Sequence, residues 1–381
     1  MFILLLALLV FFYLLCRVVL PLPLNRGLKA AAGALLFVFS QQHLLYRYFL
    51  GGMASPELPF PALLLSTGTF AFLLFLFLMT LCKDAAAGAR RLSDRLRGKA
   101  RGRRRNAFSP GRRQAMMACL AALPAVYGVR NALAVPGVRR LETRLPALPK
   151  ALDGLTLVQI SDLHVSQLLH GPRVRALVDK VNGLNPDLVV LTGDMVDGFP
   201  DRRAESVASL KDLRARYGVF ACAGNHEYYA DFRAWMRAFR SLGVTMLLNS
   251  HNLLSIGGET IVLAGVTDIV AGRYGLSPPD VSAALEGAPP GAFTVLLDHR
   301  PANAAGNAAA GAHLQLSGHT HGGQILGMTK LVAAYNDGYL YGWYQIAGMK
   351  LYVSSGAGLW SGFPVRLGVP SEIVALTLRG A

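Results

Sequence analysis

The chain has 381 residues, with 38 Lys and Arg against 22 Asp and Glu, a formal charge of +16. Hydrophobic residues make up 53% and charged residues 16%, which excludes a disordered chain and fits a wholly soluble nucleic-acid binder poorly. Cys16, Cys82, Cys119 and Cys222 are too widely separated for a disulfide framework or a cysteine-based zinc motif.

Residues 2–16 carry no charge, and the apolar character resumes after Arg17 as far as Leu20, close to the length that crosses the hydrocarbon of a bilayer. With no basic n-region and no small-residue cleavage site, this reads as a spanning helix and not as a removed signal peptide. A second apolar stretch, about 30–50, contains Gln41, Gln42, His43 and Arg47 and is expected to span only within a bundle. The third, about 58–82, is the most continuous. Residues 1–82 are therefore predicted to hold about three transmembrane helices. Residues 83–114 follow as a basic loop, in which twelve Lys and Arg oppose only Asp84 and Asp94. The positive-inside rule places that loop in the cytoplasm. A fourth apolar stretch, 115–135, is interrupted by Arg130 and Asn131 and is expected to span or to lie at the interface. Residues 136–149 read as a linker and 150–381 as a water-soluble domain.

In that domain short apolar runs alternate with polar helical segments. Residues 155–160 and 187–192 read as buried parallel strands, joined by a crossover helix with Val174, Leu177, Val178 and Val181 at helical spacing. Further strands are predicted at 219–223, 260–266 and 293–299. The strands lead into polar strings: SDLH (161–164), GDMVD (193–197), GNHE (224–227), LDHRP (297–301) and SGHTHGG (317–323). Ligands of open α/β sheets bind at this carboxyl edge. Of nine histidines, five fall in these strings: His164, His226, His299, His319 and His321. His43, His170, His251 and His313 match no string and are read as ordinary residues. Carboxylate, imidazole and carboxamide together are the donors that manganese, iron and zinc accept.

These ordered strings resemble the calcineurin-like metallophosphoesterase superfamily, and within it the bacterial membrane-anchored YkuE/YaeI-type phosphodiesterases. The resemblance runs over about residues 145–380 and includes LPKALDGLTLVQISDLHVS and the closing SSGAGLWSGFPVRLGVPSEIVALTL. It implies a four-layer α/β/β/α sandwich, here preceded by an N-terminal transmembrane helical region, and a site for two divalent metal ions, manganese, iron or zinc. Carried over by residue, it implies that Asp162, His164 and His321 hold one metal, that Asn225, His299 and His319 hold the other, and that Asp194 bridges them. A bridging carboxylate offsets two dications about 3.5–4 Å apart, and a shared water becomes hydroxide near neutrality. That hydroxide is expected to attack phosphorus while His226 acts as the general acid. Asp197 and Glu227 are candidates for orienting a ligand imidazole through its second nitrogen. Tyr228, Tyr229, Trp343 and Trp360 are candidate groove residues, and Arg366 a candidate phosphate contact. Gly322 and Gly323 are expected to allow a tight turn, with Gln324 beginning the next strand.

The expected activity is that of a membrane-anchored phosphodiesterase acting on a phosphate ester, lipid-linked or envelope-associated. A UDP-diacylglucosamine-type pyrophosphate hydrolase of lipid A synthesis and a catalytically degenerate membrane scaffold are the alternatives. If 115–135 crosses, the catalytic domain stands on the outer face of a bacterial cytoplasmic membrane, the favoured placement. Membrane lipids are expected partners. Nucleic acid is not, because residues 150–381 carry 18 Lys and Arg against 18 Asp and Glu, so the excess charge belongs to residues 1–149.

Overall fold

The computed structural model describes residues 2–49, 56–97, 109–360 and 363–380. Most of the second half of the basic loop, residues 98–108, and Leu50 at the end of the second expected span lie outside the described residues. The chain divides into two compact units, Met1–Arg130 and Asn131–Ala381.

The first unit is helical. The helix Phe2–Leu14 continues into a π-helical turn, Leu15–Val19. The second expected span is instead two helices, Arg26–Ser40 and Gln42–Phe49, broken at Gln41. Neither piece reaches the roughly 20 residues needed to cross hydrocarbon. The polar residues explain the break, since Gln42 and Tyr46 both bond Ser66 on the following helix. That helix, Phe60–Leu96, runs past the apolar stretch into the basic segment, and the last helix is Pro110–Leu133. By length and composition two helices are able to cross a membrane, Phe60–Leu96 and Gly111–Leu133, while Leu4–Val19 is a shorter apolar helix. Arg17, in the π-helical turn, pairs with Asp84 through Nε and Nη2 at 2.6 and 2.7 Å. Tyr13 donates to the same carboxylate at 2.9 Å, and Gln114 Nε2 donates to the Arg17 carbonyl at 2.8 Å.

The second unit is a sandwich of two six-stranded sheets. Its strands are β1 (Gly137–Arg144), β2 (Thr156–Ile160), β3 (Leu188–Thr192), β4 (Val219–Cys222), β5 (Thr245–Met246), β6 (Ser250–Ile256), β7 (Glu259–Gly265), β8 (Phe293–Leu297), β9 (Leu314–Ser317), β10 (Gly342–Ile346), β11 (Met349–Val353) and β12 (Glu372–Arg379). One sheet has the order β1-β12-β2-β3-β4-β5 and the other β10-β11-β9-β8-β7-β6. In the first, β2 to β5 are parallel and β12 is antiparallel to β2; in the second, β7, β8, β9 and β11 are parallel.

The period of two along each strand decides the layers. Leu157, Leu188, Val190 and Phe220 point between the sheets and meet Leu263, Val295, Leu297 and Leu316. Val158, Ile160, Val189 and Leu191 point the other way, onto Val174, Leu177, Val178 and Val181 of the helix Gly171–Asn182. The second sheet likewise turns Val262, Ala264 and Leu296 toward Ala284 and Ala304 in short helices outside it. The result is the expected α/β/β/α stack, in which central strands are buried on both faces and read as continuous apolar runs. Each fully buried Leu or Val contributes about 1.5–3 kcal/mol.

One expectation is overturned here. Residues 136–149 are not a linker, because 137–144 pair in parallel with β12 along its whole length as an edge strand. Leu145 and Leu148 then enter the inter-sheet core. The chain between the last helix and β1 is pinned as well. Buried Arg173 donates to the carbonyls of Leu133, Ala134 and Ala357, and Lys180 Nζ donates to that of Pro136 at 2.7 Å.

Candidate metal centre

The polar strings meet where β2, β3, β4, β8 and β9 end. Three groups of side chains there bring potential ligand atoms within 4.8 Å of one another: Asp162 with His164 and His321, Asp194 with His299 and His319, and His164 with Asp197 and His226. In the first group His321 Nε2 stands 3.1 Å from His164 Nε2 and 3.3 Å from Asp162 Oδ1. In the second, His299 Nε2 lies 3.2 Å from both Asp194 Oδ2 and His319 Nδ1. Asp194 Oδ2 is also 3.6 Å from His164 Nε2, so this carboxylate stands between these two groups.

The backbone is bent to achieve this. Asp162, His164, Asp194, His319 and His321 all have positive φ, between 44° and 69°. Each such left-handed non-glycine residue costs on the order of 1–3 kcal/mol, a strain that persists only where surrounding contacts impose it. Those contacts are present. His164 N donates to the Asp194 carbonyl at 3.0 Å, His319 N donates to the Asp162 carboxylate at 2.9 Å, and Gly358 N donates to the Asp162 carbonyl at 2.7 Å. The glycines of the strings serve close approach. A Cβ on Gly224 would lie 2.5 Å from the Asp194 amide nitrogen, and one on Gly318 would overlap Ser161 Oγ and Asp162 Oδ2. Gly322 and Gly323 have φ of 60° and 76°, as the tight turn requires. Gln324 does not begin a strand. Its own φ is 54°, and its side chain ties the turn to the Phe363 carbonyl and the Trp360 amide.

Ring tautomers are set from behind. Asp197 Oδ1 faces His164 Nδ1 at 3.1 Å and His226 Nδ1 at 2.6 Å, as expected of an orienting carboxylate. The Thr192 carbonyl takes the proton of His299 Nδ1 at 2.8 Å. Both arrangements turn Nε2 toward the cluster, where His164 and His299 can offer it as a ligand atom. Glu227 plays a different part from the one expected. Its carboxylate accepts the backbone N–H groups of Asp194, Met195 and Gly224, and so fixes two strings to each other without touching an imidazole. Burial, with Asp194 close by, pushes its carboxyl up to about 7.

The charge pattern suits cations. Burial opposes ionisation of His226 and His299 most strongly, yet the surrounding carboxylates, Asp194 foremost, together outweigh it and lift the two imidazoles to about 9 and about 10. Burial and the neighbouring positive groups push His319 and His321 down, leaving them neutral. Buried imidazoles and carboxylates that draw in positive charge fit manganese, iron or zinc ions, so the residues present could hold such metals.

Asn225 is linked to His319 of the second group through Arg300. Its Oδ1 accepts from Arg300 Nη2 at 3.0 Å, and Arg300 Nη1 reaches His319 Nε2 at 2.8 Å. Arg300 is itself held by Asp268, Nε to Oδ2 at 2.6 Å, and its side chain is 28% exposed. Among the predicted groove residues only Tyr229 stands against the cluster, its ring centroid 5.1 Å from that of His226. Tyr228 is buried and stacked on Phe232, Trp343 packs on Tyr352, and Trp360 is half-exposed on the loop after β11. Arg366 does not face a phosphate. It is fully buried and spends its N–H groups on the carbonyls of Ser355 and Gly358, at 2.8 and 2.7 Å from Nη2.

The family model described as calcineurin-like phosphoesterase matches residues 155–323. The chain is 31% identical over 240 residues to the metallophosphoesterase YkuE of Bacillus subtilis, covering 61% of this chain and 82% of that protein. It is 36% identical to a zebrafish (Danio rerio) protein described as a transmembrane protein with metallophosphoesterase domain, covering 71% of this chain and 63% of that one. A Campylobacter jejuni metallophosphoesterase is also 36% identical, over 66% of each chain. The chain thus matches somewhat less than two thirds of the zebrafish protein's length. The sandwich and its histidine and aspartate cluster are those of a metallophosphoesterase domain. The chain belongs to the calcineurin-like metallophosphoesterase family.

Proposed function

We propose that the chain is a membrane-anchored phosphodiesterase that holds two divalent metal ions and hydrolyses a lipid-linked phosphate ester. The observation that carries this reading is the convergence of Asp162, His164, His321, His299 and His319 around Asp194. In this reading Asp162, His164 and His321 hold one metal, Asn225, His299 and His319 the other, and Asp194 serves both. Bound there, two divalent cations supply Lewis-acid polarisation of the phosphoryl group and acidify water to a nucleophile near neutrality.

The protein's own contribution is proton delivery and orientation. His226 Nδ1 is engaged by Asp197, which aims Nε2 into the cluster, 3.9 Å from Asp194 Oδ2. From there Nε2 gives its proton to the leaving alkoxide, the step that separates alkyl esters from esters whose leaving group needs no proton. Arg300, partly exposed and tethered by Asp268, presents its guanidinium to a phosphoryl oxygen.

Membrane anchoring is supported by the two helices long and apolar enough to cross. The contacts joining Arg17, Asp84 and Gln114 bring the end of the first helix to both ends of the basic loop, so these three residues lie at one level. With that level cytoplasmic, the helix Gly111–Leu133 carries the catalytic domain to the outer face. The formal neutrality of residues 150–381 supports a substrate other than nucleic acid.

The test is hydrolysis of bis-p-nitrophenyl phosphate by the detergent-solubilised protein with added manganese. Asp194→Ala is expected to abolish it; full activity in that variant refutes the two-metal assignment.

A further inference from the structure

Exposed apolar side chains in the sandwich unit are not scattered. Ten large ones are exposed among its described residues, and nine of these lie in loops leaving the carboxyl ends of the parallel strands, the edge that also carries the metal cluster. The exception, Leu253, is on the outermost strand β6. Tyr229 follows β4, Ile269 and Tyr274 follow β7, and Leu326, Leu331 and Tyr335 follow β9. Tyr335 is 82% exposed and Ile269 65%. Isolated surface apolar residues need no explanation, but a ring confined to the mouth of a site does.

Its composition identifies what it meets. Tyrosine, with an apolar ring and a polar tip, belongs at a membrane–water interface, where Leu and Ile beside it enter the acyl region. The short helix Thr329–Ala334 puts exposed Leu331 next to exposed Lys330, and Arg273 adjoins Tyr274. Asp337 is the one acidic residue in 325–341, and in the 266–280 loop Asp268 is paired with Arg300 while Asp280 caps the helix Val281–Ala284. The collar therefore offers apolar and basic groups together, the combination that anionic headgroups favour. Three residues before β1 ends Gly111–Leu133, a helix apolar enough to cross a bilayer. A bilayer is thus within reach of this unit.

We propose that this collar docks the metal-site edge on a bilayer surface, with 325–341 as the main inserting segment, so that the scissile ester belongs to an amphiphile held in that bilayer. The docking is read from the surface alone; the ester cleaved rests on the phosphodiesterase reading above.

The test uses the full chain in proteoliposomes of phosphatidylcholine and phosphatidylglycerol, with one fluorophore attached through Tyr335→Cys or, separately, Leu253→Cys, in a background without the four native cysteines. Nitroxide groups on the lipid acyl chains are expected to quench the probe at 335 far more than the probe at 253. Equal quenching overturns the docking, and so does a change at 335 that follows protein concentration and not lipid, which assigns the collar to a second copy. In the second arm Leu331→Glu with Tyr335→Glu is expected to slow hydrolysis of dodecyl p-nitrophenyl phosphate held in the vesicles at least about tenfold, since the substrate loses its high local concentration. Hydrolysis of soluble bis-p-nitrophenyl phosphate is expected to stay at the parent rate. Equal loss on both substrates, or on neither, overturns the proposal. A parent protein inactive on both defeats the phosphodiesterase reading, and the quenching then decides the docking.

Discussion

Asp197 offers the sharpest perturbation, because one buried carboxylate oxygen serves two imidazoles of different function. Its Oδ1 lies 3.1 Å from His164 Nδ1 and 2.6 Å from His226 Nδ1. Asp197→Asn keeps the shape but removes the charge, and an amide cannot accept from both rings as strongly as a carboxylate. Whichever ring meets the amide NH2 must turn its lone pair outward and carry its proton on Nε2, the nitrogen that faces the cluster. For His164 that is a loss of metal affinity, typically about 10–100-fold when an orienting partner of a ligand histidine is removed, or about 1.4–2.8 kcal/mol. For His226 it is a loss of general-acid function, about 10²–10⁴-fold in rate for a leaving group that needs the proton. Metal affinity is read by competition with a coloured chelator. The rate is read at saturating manganese with an alkyl and a p-nitrophenyl leaving group in parallel. The expected result is weaker binding together with a larger rate loss on the alkyl ester. Parent-like affinity and equal rate losses on the two esters refute the relay through Asp197.

His226→Ala is expected to leave metal content intact and to reduce hydrolysis of alkyl phosphodiesters more than that of bis-p-nitrophenyl phosphate, measured by metal analysis and paired rates. Glu227→Gln replaces an acceptor of three backbone N–H groups by one that presents its own donor, so thermal unfolding is expected to show a loss of about 1–3 kcal/mol. Gly224→Ala forces a Cβ against the Asp194 amide and carboxylate and is expected to lower metal occupancy with the fold retained, read by metal analysis and circular dichroism. Arg300→Met is expected to raise KM for phosphodiesters more than it lowers kcat, because a guanidinium that holds the phosphoryl group acts in the ground state as well.

The central strands and the site strings were legible because both carry their signal locally. Strands buried on both faces read as unbroken apolar runs, and each site string follows the strand that presents it. The edge strand β1 was not legible. Its sequence GVRRLETR carries four charged residues on exposed positions, and its partner β12 begins 228 residues after β1 ends, so neither alternation nor proximity marks it. Arg300 stands inside one of the strings, yet its role depends on Asp268, Asn225 and His319 from three other loops. Glu227 and Arg366 were misread for a related reason. Glu227 is expected behind a ligand imidazole and Arg366 at a phosphate, whereas Glu227 holds only backbone N–H groups and buried Arg366 holds backbone carbonyls beside His321. The break at Gln41 is a tertiary matter, since Ser66 is what gives Gln42 and Tyr46 a partner.

The most direct measurement of the central claim is metal stoichiometry with activity in one titration. The full-length protein is stripped with chelator and returned to manganese, and bound metal and bis-p-nitrophenyl phosphate hydrolysis are followed together. Two ions per chain are expected, with activity appearing as the second binds, and Asp194→Ala is expected to lose both. Full hydrolysis by the stripped protein, or by Asp194→Ala, contradicts the account.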